Sequence, residues 1–587
     1  MSLASYLSEL VGAAFADLGH DPALGVVVPS NRPELADFQC NGAMAVAKAA
    51  GRPPREIAGE VAERLGSHPE FASVDIAGPG FINLVLTEQE LARWSQSMLD
   101  DERLGVDPAS EPLTVVVDYA GPNVAKAMHV GHLRATIIGD SIARLFDFVG
   151  HKVIRDPHFG DWGLQMGLVI AELADRHPDW PYFDPSHDGP YPSDSPVTLD
   201  DLQEIYPAAS ERAKQDEDFA QAARQATVEL QQGRPGYVAL WKHMRAVSLE
   251  AQKKNFSDLG VDFDIWHGES DVASLLEPLV ERLRQSGAAE ESEGALIVRV
   301  DEPGDKREIP PLILVSRTGS YLYSTTDVAT IWYRAEQLGA DLALYVVDSR
   351  QADHFIQVFR AARKGSVAGD MRMEHIGFGT MNGPDGRPFK TREGGVVSLR
   401  DLIEMVERAA MARLDEANIA TDYPEEERAD IAHKVGIAAL KFGDLHSNRM
   451  SDYVFDLDRF SSFEGKTGPY LQYAAVRIRS LLRKADERKL EGGPLIPPTV
   501  GPERDLHLAL LQMPEVVHRA VDLRAPHHLA EYAYGLAGAF NRFYDACHVL
   551  SEPDPDRRAG WLSLCRLTME TLIRSLDLLG IEVPQRM

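Results

Sequence analysis

Apolar side chains recur at helical spacing at the start of the chain, at Leu3, Tyr6, Leu7, Leu10, Val11, Ala14 and Phe15, which predicts an amphipathic helix. A second helical pattern covers 41–65, and 80–86 (GFINLVL) reads as a strand, so residues 1–108 are expected to form a small α+β unit. From 109 to 450, short apolar runs at 113–117, 296–300, 312–315 and 342–347 alternate with helical stretches. That alternation predicts a largely parallel, doubly wound sheet. Within it, about 178–258 turns polar and helical after the Pro-rich PDWPYFDPSHDGPYPSDSP and reads as an insertion. Residues 451–587 read as helical, interrupted by a Gly/Pro loop at 492–502.

Composition narrows the class. With 587 residues, the chain exceeds what one core supports, and 44% hydrophobic with 26% charged residues is ordinary globular usage. No run approaches the length of a membrane span, and the first helix lacks the basic start of a signal peptide, so no membrane partner is expected. Cys40, Cys547 and Cys565 are far apart and form no CxxC pair; this argues against a disulfide framework or thiolate zinc site and suits a reducing cytoplasm. The formal charge of −30 does not by itself suggest a nucleic-acid partner, so any such surface must be local. One candidate is 466–489, where Lys466, Arg477, Arg479, Arg483, Lys484, Arg488 and Lys489 outnumber Asp486 and Glu487; a solvated amphipathic helix is the competing reading.

The chemistry concentrates in 114–143, TVVVDYAGPNVAKAMHVGHLRATIIGDSIA: a buried strand, a Gly/Pro loop, then a helix opened by His129, Gly131 and His132. Leu133, Ile137, Ile138, Ile142, Leu145, Phe146 and Val149 form the stripe that packs this helix on the sheet and aims its start at the strand's carboxyl end. Imidazoles beside a helix N-terminus can hydrogen-bond phosphate oxygens as charge shifts at phosphorus. With no third ligand nearby in sequence, phosphate contact is favoured over metal. A second basic, glycine-flanked stretch, GRPFKTREGG at 386–395, carries Lys390 and Arg392 and can close on polyphosphate. Asp327 lies four residues after Tyr323, so both would share one face of a helix start.

PNVAKAMHVGHLRATIIGD, GDWGLQMG (160–167), GSYLYSTTDVA (319–329), GRPFKTREGGVVSL (386–399), SFEGKTGPYLQYAAVRIRS (462–480) and LGIEVPQRM (579–587) closely resemble arginyl-tRNA synthetases of the bacterial type, within the class I aminoacyl-tRNA synthetases. The resemblance spans essentially the whole chain. It implies a Rossmann-like catalytic domain with a helical insertion, an N-terminal add-on domain that touches tRNA, and an all-helical anticodon-binding domain. It also implies ATP with Mg2+ at His129, Gly131, His132 and Lys390, no protein-bound structural metal, and L-arginine against Asp118, Asn123, Tyr323, Asp327 and Gln351. Lys126, just before HVGH, is the lysine that in many relatives supplies charge where the 386–395 loop departs from KMSKS; Lys126, Lys390 and Arg392 remain alternatives for that role. For tRNA(Arg), the resemblance carries over Phe81 and Asn83 as readers of a D-loop base, and Tyr470, Tyr473 and Met587 as anticodon contacts. A core position for Phe81 and for the two tyrosines competes with those roles. The family implies a monomer acting in the cytoplasm.

Three other readings share parts of these motifs. A small-molecule nucleotidylyltransferase has an HxGH site but does not explain Tyr323, Asp327 and Gln351. A cysteinyl-type synthetase needs thiolate zinc ligands, and a non-catalytic RNA-binding paralogue would be expected to lose phosphate residues that are present here.

Overall fold

The computed structural model describes residues 2–383, 386 and 397–587. The chain forms two compact units. One comprises Met1–Ala109, Ala417–Lys434 and Ser462–Met587; the other comprises Ser110–Glu416 and Val435–Ser461. The consecutive boundary placed at 450/451 from sequence therefore falls differently in the packing: 417–434 belongs with the first unit, and 451–461 stays with the second.

The second unit is built on four parallel strands, β1 (Thr114–Tyr119), β2 (Lys152–Asp156), β3 (Leu342–Val346) and β4 (Arg372–His375), in the order β4-β3-β1-β2. Helices cover both faces. On one, α1 (Val130–Phe148) approaches so closely that a β-carbon on Gly139 would come within 2.3 Å of Tyr119 Cβ, so only glycine fits. On the other lie α2 (Tyr323–Glu336) and α3 (Ala352–Lys364), packed with Val116, Ala343, Tyr345 and Met373. Successive strand residues point to opposite faces, so Asp118 and Tyr119 serve different layers.

The runs at 296–300 and 312–315 do not join this sheet. Ala289–Ser292, Ala295–Val298 and Leu312–Val315 form a separate antiparallel sheet. Only Glu293 (φ 50°) and Gly294 (φ 82°) link its first two strands. A two-residue turn with both residues left-handed makes a hairpin, and it is far too short for a parallel crossover. The insertion forms helices Leu199–Gln215, Glu217–Gln231 and Pro235–Asp258 around an apolar cluster that includes Leu202, Leu230, Leu240 and Met244.

In the first unit, antiparallel strands Val27–Pro29, Phe38–Cys40, Phe81–Leu86 and Phe71–Ala77 stand in that spatial order. Helices Leu3–Ala16 and Pro54–Leu65 bury Leu7, Val11, Phe15, Ile57 and Val61. The helices Gly468–Glu487, Gly501–Leu510, Met513–Asp522, His527–Ala546 and Pro555–Leu578 complete this unit. Among the described residues, no helix is long and apolar enough to cross a membrane.

Candidate active site

In a parallel sheet wound this way, the loops after β1, β2 and β3 and the starts of α1, α2 and α3 all lie at the carboxyl edge of the strands, where α/β folds bind ligands. The sequence places its phosphate and amino-acid candidates on these segments. The imidazoles and the acidic groups therefore share one edge.

At the start of α1, His129 is the capping residue and its Nδ1 accepts a hydrogen bond from Gly131 N at 3.0 Å. The backbone N–H of His129 donates to His132 Nδ1 at 3.1 Å. Both Nδ1 atoms are acceptors, so each neutral ring carries its proton on Nε2, free to donate to an anion. The rings lie 4.1 Å apart. Burial, the neighbouring His129 and the charge of Lys126 push His132 down to about 3; burial and Lys126 also lower His129. Both rings are thereby kept neutral at physiological pH. Gly131 leaves room for the His129 ring, because a β-carbon there would sit 2.7 Å from His129 Cε1 and displace it.

The loop from β1 to α1 is held in uncommon backbone conformations, with Ala120 at φ 79° and Ala125 at φ 62°. Such strain persists only where surroundings over-determine it. Val124 N donates to Gly160 O and Gly160 N to Pro122 O, zipping the loop to the GDWG segment. Helix Pro235–Asp258 supports it from the insertion: Ser248 Oγ accepts from Ala125 N at 3.0 Å, and Gln252 Nε2 donates to Asn123 O at 3.0 Å. Asn123 and Lys126 are both half-buried on this loop, and Lys126 lies close enough to act on both imidazoles. Lys390 and Arg392 lie outside the described residues. The chain that follows them returns to the same place, with Leu399 N donating to Met128 O and Val130 N to Val397 O.

Asp118, Asp156 and Tyr345 stand in register on β1, β2 and β3, side by side on one face. Arg334 of α2 is fully buried across them; its Nη2 is 2.7 Å from Asp118 Oδ2 and 2.6 Å from Asp156 Oδ2, with the guanidinium 5.1 Å from the Tyr345 ring centre. Burial raises the Asp118 carboxyl, against the pull of Arg334 and His158. One oxygen of Asp118 is thus already held by a guanidinium of the chain itself.

Tyr323 and Asp327 occupy the first turns of α2, whose start is pinned to the antiparallel sheet by Ser324 Oγ donating to Ile313 O and Thr325 Oγ1 to Leu314 O. Tyr323, Asp327, Thr330 and Arg334 follow one face of this helix. Asp327 Oδ2 is 2.6 Å from His354 Nε2, and its Oδ1 is 4.0 Å from His158 Nε2. Exposed Gln351 caps α3, three residues before His354.

Sequence reasoning did not single out His158, Glu269, Arg334 or His354. Arg334 could have been found from its spacing to Asp327 on one helical face, and His354 from its spacing to Gln351. Glu269 gave no local signal. It accepts from Trp162 N at 3.1 Å, and burial together with the negative charge of Asp327 and Asp161 pushes it up to about 7. Asp161 of GDWG is itself fully buried, accepting from Ser270 N, Ser270 Oγ and Arg245 Nε. Among the described residues, no group of three or more His, Cys, Asp or Glu side chains converges as a metal ion would need.

In the first unit, Phe81 begins its strand half-buried, while Asn83 is buried and its Oδ1 has no hydrogen-bond partner. Tyr470 OH accepts from Asn541 Nδ2 at 2.9 Å, and its ring lies 5.6 Å from that of Tyr534. Tyr473, on the same helix, is 42% exposed. The segment 582–587 folds against this helix: Gln472 Nε2 donates to Glu582 O and Arg479 Nη1 to Pro584 O. Arg586 pairs with Glu427 through two bonds of 2.7 Å and lies over the Tyr423 ring, leaving Met587 half-buried beside them in sequence.

Comparison with known proteins agrees with this layout. Residues 95–457 match the family described as tRNA synthetases class I (R), catalytic domain; 471–587 match the DALR anticodon binding domain, and 2–86 the arginyl tRNA synthetase N-terminal domain. The arginine–tRNA ligases of Hyphomonas neptunium and Maricaulis maris are each 50% identical to this chain, over 100% of both sequences. Among solved structures, Thermus thermophilus arginyl-tRNA synthetase superposes with a TM-score of 0.80 at 26% identity, covering 100% of each chain. The Plasmodium falciparum arginyl-tRNA synthetase shares the fold, with a TM-score of 0.82 at 24% identity over 100% of this chain and 99% of the other. On these grounds the chain belongs to the class I arginyl-tRNA synthetases.

Proposed function

We infer that the protein is an arginine–tRNA ligase that activates L-arginine with ATP and passes it to tRNA(Arg). One observation carries the assignment of its site: a pair of neutral imidazole donors at one helix start shares the carboxyl edge of the sheet with an acidic pocket around Asp327. A carboxylate oxygen of arginine attacks the α-phosphorus of ATP, forming arginyl-adenylate and expelling pyrophosphate. The 2′-hydroxyl of the terminal tRNA adenosine then attacks the activated carbonyl and AMP leaves.

His129 and His132 donate through Nε2 to phosphate oxygens, which gain charge as the displacement proceeds. Gly131, with no β-carbon, leaves the His129 ring its place beside the anion. Lys126, Lys390 and Arg392 neutralise the departing pyrophosphate, and magnesium travels with the nucleotide as part of the substrate. Asp327, Tyr323 and Gln351 take the guanidinium, with Asp118 adding negative charge behind them, while Asn123 orients the α-amino and carboxylate ends. No covalent enzyme intermediate is needed, because positioning and charge neutralisation supply the rate. Phe81, Asn83, Tyr470, Tyr473 and Met587 contact the tRNA. A monomer acting in the cytoplasm completes this reading; the three free, buried cysteines fit a reducing compartment.

ATP–pyrophosphate exchange, run with each of the twenty amino acids and with or without tRNA, tests the assignment. Exchange that depends on arginine is expected; exchange indifferent to arginine in both conditions overturns it.

A further inference from the structure

His354 has no part in the chemistry derived above, yet it touches two of the groups given to the arginine side chain. It lies in the first turn of α3, and its Nε2 is 2.6 Å from Asp327 Oδ2. Its ring centre is 4.9 Å from that of Tyr323 and 5.4 Å from that of Phe355. The side chain is 13% exposed, against 25% for Asp327, so the contact is largely shielded from solvent while the carboxylate keeps an open side. An ionised carboxylate only accepts, so Nε2–H is the donor. Among the described residues this is the one hydrogen bond that Asp327 receives; His158, at 4.0 Å, is beyond hydrogen-bond reach.

An aspartate at a helix start can turn about both side-chain torsions. A guanidinium fork, in contrast, binds best to a carboxylate held in its own plane. One lone pair engaged by an imidazole fixes that plane and leaves the remaining acceptor positions for a ligand. The same imidazole packs on the Tyr323 ring, so a single side chain from α3 ties together two residues of α2.

We propose that His354 is a positioning residue for amino-acid selection, locking the Asp327 carboxylate and the Tyr323 ring in the arrangement that receives the guanidinium of arginine. The proposal rests on the reading of Asp327 as a guanidinium ligand. Losing a hydrogen bond to a charged group raises KM by about 10- to 100-fold.

The test is arginine-dependent ATP–pyrophosphate exchange with the full-length chain, tRNA supplied throughout. His354→Ala should raise KM for arginine on that scale while kcat, KM for ATP and the melting temperature move little. His354→Gln, whose amide nitrogen can replace Nε2–H, should recover most of the arginine KM. Adding His354→Ala to Asp327→Ala should cost less than His354→Ala does alone, because only the Tyr323 contact is then left to lose. An unchanged arginine KM in His354→Ala overturns the proposal, as does a fall in kcat and melting temperature that His354→Gln shares. Asp327→Asn separates the two layers. If it leaves arginine KM unchanged, the guanidinium assignment itself falls. If it raises KM while His354→Ala does not, only the positioning role falls.

Discussion

In the proposed site, His129 and His132 offer Nε2–H to phosphate because each Nδ1 already accepts a backbone hydrogen bond. With His132 at about 3 in the folded chain, its imidazole stays neutral through the physiological range, whereas an unfolded chain takes up the proton below about 6.5. The folded state therefore loses stability from this group as pH falls from 6.5 towards 3. Glu269 works in the opposite sense. Its folded value of about 7 lies above the ordinary carboxyl range, so its contribution to stability is complete below about 4.5 and is lost as pH rises through 7. Glu269→Gln should accordingly narrow the difference in melting temperature between pH 6 and pH 8, and an undiminished difference would show that another group is responsible. Gly131 offers a sharper test. Alanine there is a better helix former but collides with the His129 ring, so Gly131→Ala should hold or raise the melting temperature while lowering exchange by about a hundredfold, the cost of an ångström-scale misplacement. The HVGH cluster was legible in sequence because its contacts span three residues. Glu269 was not, because its partners Trp162, Asp161 and Asp327 lie far away in sequence and only folding brings them together.

At the scale of elements, the inserted helix Pro235–Asp258 gives the 178–258 segment a structural task that its polar composition did not disclose. It supplies hydrogen bonds to the strained loop that carries Asn123 and Lys126. Ser248→Ala leaves the buried Ala125 N–H without its acceptor and should cost about 1–3 kcal/mol in denaturant unfolding, together with a higher KM for ATP. An unaffected stability would mean that the loop is held elsewhere. The helix α1 is anchored at its other flank by Arg134, buried against Asp444 and bonded to the carbonyl oxygens of Arg449 and Ser451. Element identity was readable where one periodicity dominated, as in α1 and β1. It misled at 296–315, because a fully apolar run does not say which sheet a strand joins, and only the two-residue turn at Glu293–Gly294 does.

For the molecule as a whole, sequence conveyed the order of the sections better than their packing: 417–434 lies in the middle of the chain yet folds with the first unit, where Glu427 and Tyr423 receive Arg586. The two tyrosines of the helix Gly468–Glu487 have become distinguishable. Tyr473→Ala should reduce tRNA affinity by the equivalent of about 1–3 kcal/mol with an unchanged melting temperature, as for a lost stacking platform. Tyr470→Ala, which breaks the Asn541 contact, should lower the melting temperature as well. Charging kinetics that ignore Tyr473→Ala would remove it from the tRNA surface. Finally, Arg334 amounts to a built-in rehearsal of the proposed ligand capture: behind the site, the chain already cradles one forked cation of its own. Small soluble mimics of that head group should exploit the same affinity. Guanidinium ion at sub-denaturing concentration is expected to inhibit exchange competitively with arginine, while urea, similar in shape but uncharged, is expected to leave the arginine KM alone.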